Sequence, residues 1–250
     1  MDYTRREFAS RLGLLVAGVS AAGGWAGALS LLGAQHEPHS SLPMTTHASG
    51  NEENKLAAPE EVWAKLLEGN RRFVAGKPMI RDVVKQRSAL VRGQQPQVIV
   101  LGCSDSRVSP TLVFDQGLGD LFEVRAAGNV ADPIALGSIE YALEHFPVRI
   151  LVILGHEKCG AVAAAASGEK MPTANLLAIV AKIKPAIAKV NGDHKTQEFL
   201  RKAEEANVVQ CATDLLANSS IVLKQTAANN VEIIKAIYSL ATGQVRRLEA

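Results

Sequence analysis

The chain has 250 residues, a length typical of one or two domains, and its hydrophobic fraction of 47% is sufficient for a buried core. Aromatic residues supply only 4% of the chain, so aliphatic side chains must build most of that core. The 27 basic residues are balanced by 25 acidic ones, which excludes the basic surface that nucleic-acid binding requires.

The N-terminal segment, residues 1–34, has the organisation of an export signal. Arg5 and Arg6 precede a weakly apolar run from Leu12 to Leu32 that is rich in alanine and glycine. A charged start before an apolar stretch is typical of targeting segments, and the arginine pair resembles the twin-arginine signal, which exports folded proteins. The run is also about long enough for a membrane anchor, but its glycines favour the signal. A small-x-small pattern at residues 26–28 suits cleavage, and Leu-Gly-Ala at residues 32–34 is a competing site. Cleavage would give a periplasmic protein, whereas an uncleaved signal would leave it membrane-anchored.

A polar linker, residues 35–58, is predicted between this signal and the folded domain, residues 59–250. The linker contains His36, His39 and His47. Its polar composition and lack of periodicity favour a solvated segment over a loose metal site.

Two helices are predicted at the start of the domain. Pro59 and the two acidic residues after it suit the first turn of a helix, and apolar residues then recur at helical spacing from Val62 to Phe73. The second helix is predicted from Val83 to Val91, and Gly93 ends it.

Short apolar runs then alternate with helical segments. The runs Val98–Leu101, Leu121–Val124 and Ile150–Leu154 predict buried strands, and the alanine-rich stretch Ala161–Ala166 predicts a helix. Such alternation predicts an α/β fold with a mostly parallel central sheet flanked by helices. Ligands of such sheets bind beyond the carboxyl ends of the strands.

Candidate metal ligands follow two of these strands. Cys103 comes after the first strand, and His156 and Cys159 come after the third, so all three should lie on one rim of the sheet. A lone cysteine or histidine is usually structural, but this coincidence favours a metal. Two thiolates and one imidazole select zinc, and three protein ligands leave a fourth position open, as in catalytic zinc sites. Zinc in such a site lowers the pKa of bound water to about 7.

Asp105 and Arg107 lie beside the first ligand. Asp105 either completes a closed tetrahedral shell or accepts a hydrogen bond from zinc-bound hydroxide, and the guanidinium of Arg107 suits a carboxylate partner. The three cysteines of the chain are too few and too scattered for a disulfide framework. Cys211 lies in a predicted helix without nearby ligands, and we expect it to be a core residue.

The pattern Cys-x-Asp-x-Arg at residues 103–107 with His-x-x-Cys at residues 156–159 resembles the signature of the β-class carbonic anhydrases. The resemblance covers about residues 59–248 and includes residues 63–76, 93–96, 114–122, 125–129 and 137–142. It also identifies residues 234–240 and 242–245 as the last strand and hairpin of the family. Periodicity alone predicts a helix in this final stretch.

The resemblance implies an activity, a cofactor and an assembly. Cys103, His156 and Cys159 would bind one Zn²⁺ per subunit, and Asp105 with Arg107 would form the catalytic dyad. The implied reaction is the reversible hydration of CO2, in which zinc hydroxide attacks carbon and Asp105 orients that hydroxide. The family also implies a homodimer or a higher oligomer of dimers, in which the N-terminal helices pack on the partner subunit.

Some family features match this chain only in part. Gln116 lies one place away from a family glutamine that reaches a neighbouring active site. The bicarbonate-regulated subset carries tryptophan where this chain has Val100, which argues against that regulation, although Arg125 matches an arginine of the regulatory pocket. His145 is predicted to be structural.

Three other functions compete with this one. Hydrolysis of COS or CS2 would use the same zinc site in a differently shaped pocket. A non-catalytic zinc-binding protein would have a closed site with Asp105 as the fourth ligand. A thiol-phosphate enzyme needs arginine six residues after its cysteine, and Arg107 follows Cys103 by only four.

Overall fold

The computed structural model describes residues 57–249. The predicted export signal and nearly all of the predicted linker lie outside these residues, as does Ala250. Among the described helices, none combines the length and the apolar character that a membrane span requires.

A five-stranded sheet forms the centre of the described domain. Its order is β2-β1-β3-β4-β5, in which the first four strands are parallel and β5 runs antiparallel to β4. The strands are β1 (Val98–Gly102), β2 (Leu121–Arg125), β3 (Ile150–His156), β4 (Glu232–Tyr238) and β5 (Val245–Arg247). The predicted α/β fold with a mostly parallel sheet is therefore confirmed.

Eight α-helices connect and cover the strands within the described residues. They are α1 (Pro59–Val74), α2 (Val83–Ala89), α3 (Pro110–Val113), α4 (Pro133–His145), α5 (Gly160–Ser167), α6 (Ala174–Ile187), α7 (Gln197–Asn218) and α8 (Ser220–Ala227). Side-chain caps start several of them: Asp132 accepts the Ala135 amide at α4, and Thr196 accepts the Phe199 amide at α7. The predicted second helix ends at Ala89 and continues as a 3₁₀ turn, Leu90–Arg92.

The sheet is covered on both faces. Alternate β1 residues belong to different apolar clusters: Val98 and Val100 pack with α1, whereas Ile99 and Leu101 pack with residues of α4 and α7. Strands that are apolar on both faces require such cover, and every residue of β1 and β3 is buried.

The C-terminal stretch corrects one prediction made from periodicity. Residues 232–238 form β4 and residues 245–247 form β5, so the strand and hairpin implied by the family resemblance are confirmed and the helix is wrong. Ile234 and Ala236 are fully buried in the sheet beside β3. Tertiary pairing with β3 thus overrides the local helical pattern.

The pairing of β1 with β3 determines where the candidate site lies. Gly102 of β1 pairs with Leu154 of β3, so Cys103 and His156 emerge from the same edge of the sheet. This is the carboxyl-terminal edge of the parallel strands, where ligands of such sheets bind.

Candidate metal centre

Three buried side chains converge at this edge. Cys103 directly follows β1, His156 is the last residue of β3, and Cys159 precedes the first turn of α5. Their ligand atoms all lie within 4.8 Å of one another. The structure therefore brings together the three residues that the sequence predicts as metal ligands.

The turn between β3 and α5 delivers Cys159. Lys158 has φ 55°, a left-handed conformation that reverses the chain immediately after the strand. Cys159 is the N-cap of α5. The free amides at a helix start favour a negatively charged sulfur, so this position suits a thiolate ligand.

His156 has a nitrogen that needs a partner. Its Nδ1 lies 2.8 Å from the carbonyl oxygen of Glu157, and because a carbonyl can only accept, Nδ1 carries the proton. The remaining nitrogen, Nε2, is buried and has no hydrogen-bond partner within residues 57–249. An unpartnered imidazole nitrogen close to two cysteine sulfurs is the ligand set of a zinc site, so these residues fit the metal.

The two cysteine thiols shift each other's pKa in opposite directions. Contact with the Cys159 thiol is the main cause that lowers the pKa of Cys103, and the hydrogen bond from the Gly128 amide lowers it further. Contact with the Cys103 sulfur is the main cause that raises the pKa of Cys159, and burial raises it further. Burial opposes protonation of His156, but its contacts with Cys103 and the Glu157 carbonyl outweigh this and raise its pKa. The cluster thus favours added positive charge, as a divalent cation would supply.

Asp105 lies at the open side of the cluster. Arg107 donates from Nε to Oδ1 at 2.9 Å and from Nη2 to Oδ2 at 2.7 Å, and its amide also bonds Oδ1. The hydrogen bond from the Arg107 side chain is the largest cause that keeps the pKa of Asp105 well below its usual range. Oδ2 lies 3.9 Å from His156 Nε2. Because Arg107 occupies both carboxylate oxygens, this geometry favours an open fourth position over closure by Asp105.

Arg125 shapes the loop that carries these residues, a role that sequence analysis did not identify. Its guanidinium donates to the carbonyl oxygens of Cys103, Asp105 and Val108 at 2.8–3.0 Å. The arginine that matched a regulatory pocket is therefore engaged by the backbone of the Cys103 loop.

Hydrogen bonds behind the ligands were also missed. The Gly128 amide donates to Cys103 Sγ at 3.3 Å, and Glu204 accepts the Cys159 amide at 3.0 Å. Glu204 and Asn207 lie on the face of α7 that buries Ala203 and Val208. Polar residues on the apolar face of a helix are the sequence feature that could have indicated these hydrogen bonds.

The remaining candidates lie away from the cluster or bond elsewhere. Gln116 donates to the carbonyl oxygens of Phe114 and Asp115. Its contact with the active site of a neighbouring subunit stays a prediction. Cys211 is a core residue, as expected, and burial raises its pKa to about 12. His145 stacks on Tyr141 at the end of α4.

Comparison with known proteins agrees with this geometry. A family model described as carbonic anhydrase matches residues 98–245. Carbonic anhydrase 2 of Mycobacterium tuberculosis is 38% identical over 192 residues, which cover 74% of this chain and 91% of that protein. A carbonic anhydrase of Mycolicibacterium smegmatis is 38% identical over 193 residues, covering 75% and 92%. The solved structure of a Coccomyxa β-carbonic anhydrase in complex with acetazolamide superposes with a TM-score of 0.61 at 26% identity, covering 74% of this chain and 85% of the other.

Proposed function

The chain belongs to the β-class carbonic anhydrase family, and we propose that it performs the family reaction at a zinc ion held by Cys103, His156 and Cys159. Its activity is the reversible hydration of CO2 to bicarbonate and a proton. The observation that carries the zinc assignment is the buried, unpartnered Nε2 of His156 beside two cysteine sulfurs.

Each residue of the site has a distinct task in this reaction. A zinc ion, when bound, supplies Lewis acidity that lowers the pKa of water to about 7. The backbone carbonyl of Glu157 accepts a hydrogen bond from Nδ1–H of His156, which leaves the lone pair of Nε2 free to bind a metal. Asp105 accepts a hydrogen bond from the attacking water, so that a lone pair of the water oxygen is directed at the carbon of CO2. Arg107 keeps that carboxylate ionised and fixed in direction.

Stopped-flow CO2 hydration by the purified chain, with zinc measured on the same sample, tests this assignment. We expect fast hydration and about one zinc per chain, both lost in Cys159→Ser. Cys211→Ser is the matched control, because the same change is made at a buried cysteine of the core. Bound zinc without CO2 hydration would contradict the proposal and direct the assay to COS and CS2.

Assembly as a homodimer, or as a higher oligomer of dimers, is the second part of the proposal. None of the residues of α2 is buried within residues 57–249, and a seven-residue helix is not stable alone in water. The segment before and within α2 exposes Met79, Ile80, Val83 and Val84, and Ile80 has a relative accessibility of 102%. Such an apolar surface supports packing of this segment, residues 79–89 and called the arm below, on a second copy of the chain.

Export through the twin-arginine route to the periplasm is the third part. Its support is the sequence of residues 1–34, with Arg5 and Arg6 before an apolar run. A route that moves folded proteins would allow metal to bind in the cytoplasm, where it would protect Cys103 and Cys159 from oxidation. Residues 35–58 would then link the signal to the catalytic domain, residues 59–250.

A further inference from the structure

Helix α7 carries two buried polar side chains within the apolar core. Glu204 and Asn207 have relative accessibilities of 6% and 4%. Burial of a carboxylate or an amide is unfavourable unless its polar atoms are hydrogen-bonded. Residues three apart on a helix share one face, so both side chains point to the same side of α7. Their partners therefore indicate what this face of the helix stabilises.

Glu204 stabilises the start of α5. Its Oε1 accepts the amide of Cys159 at 3.0 Å. The bond joins α7 to the residue that delivers the second cysteine sulfur, and it uses a backbone amide that the helix itself leaves free. Glu204 therefore fixes the position of Cys159 without touching the sulfur.

Asn207 stabilises the turn behind Cys103. Its Nδ2 donates to the carbonyl oxygen of Gly128 at 2.9 Å, and the Gly128 amide donates to Cys103 Sγ at 3.3 Å. Gly128 has φ 70°, and a Cβ added there would lie 2.7 Å from Ile183 Cδ1, so the turn is tight. Asn207 thus acts on the first sulfur through a single glycine.

We propose that Glu204 and Asn207 are positioning residues that hold the Cys159 and Cys103 turns in the geometry required for metal binding, an inference that rests on the proposed zinc site. One face of α7 would then set the separation of the two sulfurs. Loss of hydrogen-bond partners behind metal ligands typically weakens metal affinity by about 10- to 100-fold.

The test measures zinc affinity of the full chain by chelator competition in Glu204→Ala, Glu204→Gln and Asn207→Ala. Absorption of the cobalt-substituted chain in the thiolate charge-transfer region gives a second, spectroscopic readout. We expect about 10- to 100-fold weaker zinc binding and altered cobalt bands in both alanine variants. Glu204→Gln should keep close to wild-type affinity, because its amide oxygen can accept the same hydrogen bond.

Gln210→Ala is the matched control, since Gln210 is a buried amide on the same helix that bonds Lys189 and Asp214 instead of the ligand turns. Asn207→Ser, which keeps a polar group but lacks reach, replaces Asn207→Ala if the latter does not fold. Wild-type zinc affinity and cobalt spectra in Glu204→Ala and Asn207→Ala would overturn the inference, as would an equal loss in Gln210→Ala. A wild-type chain that retains no zinc would instead overturn the proposed function together with this inference.

Discussion

Arg107 donates to both carboxylate oxygens of Asp105, and this contact determines what Asp105 can do in the site. A carboxylate held by two parallel hydrogen bonds is ionised and fixed in direction. In the proposed zinc site, Asp105 would then be a hydrogen-bond acceptor at the open side of the cluster, restrained from turning inward as a fourth ligand. The pair therefore favours the proposed catalytic site over a closed structural one.

The first prediction concerns this acceptor. We expect Asp105→Asn to lower the rate of CO2 hydration by about 100-fold or more, because the amide keeps the shape of the carboxylate but loses its charge. Zinc content should not change, since Asp105 is outside the proposed ligand set. Stopped-flow kinetics and metal analysis on one sample measure both quantities.

Arg107→Lys separately tests the two side-chain hydrogen bonds that Arg107 donates to Asp105. Lysine keeps the positive charge but cannot bond both carboxylate oxygens in one plane, so hydration should fall by less than in Asp105→Asn. Arg201→Lys is the matched control, because Arg201 is equally exposed and is also paired with a carboxylate. Full activity in Asp105→Asn would contradict the role of this dyad.

Asp115 connects the segment between α1 and α2 to the rest of the domain. Arg72 of α1 and Arg81 each bond one of its oxygens at 2.5 Å, and the Met79 amide bonds the same carboxylate. Burial alone would raise the pKa of Asp115, but the hydrogen bonds from Arg72 and Arg81 outweigh it, so the pKa lies below its usual value. The arm that carries α2 is thus held by the buried carboxylate of Asp115 and its two arginine partners.

The second prediction is a loss of stability in Asp115→Asn. Removal of one partner from a buried ion pair leaves the arginines uncompensated, and we expect the free energy of unfolding at pH 7 to fall by about 3 kcal/mol. Because the folded-state pKa is depressed, the contribution is present above the ordinary pKa of 3.8 and is lost as the pH falls below it. Urea unfolding at pH 7 and pH 3 should therefore show a smaller difference between the two proteins at pH 3. An equal difference at both pH values would argue against this linkage.

The third prediction concerns the exposed arm. We expect the double variant Ile80→Asp, Val84→Asp to lower the oligomeric mass in sedimentation experiments, because two charges would be buried at the proposed interface. Leu223→Asp is the control, since Leu223 is an exposed apolar residue on α8, away from the arm. An unchanged mass in the double variant would contradict assembly through α2.

The elements differ in how far sequence alone predicts them. Strands β1 and β3 are continuous apolar runs ended by glycine or a polar turn, so their position and the convergence of Cys103 with His156 follow from local pattern. The β4 segment has apolar residues at helical spacing, and only its pairing with β3 makes it a strand. The bonds of Glu204 and Asn207 depend on the docking of α7, which no local pattern encodes. The parts that were predictable are thus local, and the parts that were missed are long-range contacts.

Export of the whole protein is proposed to depend on Arg5 and Arg6. Replacement of Arg5 and Arg6 by lysine should retain the chain in the cytoplasm, because the twin-arginine pair would be lost while the charge is kept. Fractionation of cells that produce wild-type and variant chains measures this. Unaffected export would refute the twin-arginine assignment, and wild-type protein recovered from the periplasm should already contain metal.

The spacing of the three ligands has a consequence for folding. Cys103 and Cys159 lie on either side of β2 and α4 in the chain, and they meet only when β1 and β3 are paired. An ion that needs all three side chains therefore binds the native state and not the unfolded chain. By mass action, such an ion at a thousand times its dissociation constant adds about 4 kcal/mol to the unfolding free energy. Metal binding would thus stabilise the pairing of β1 with β3. The melting temperature of the protein would rise with the free concentration of the ion.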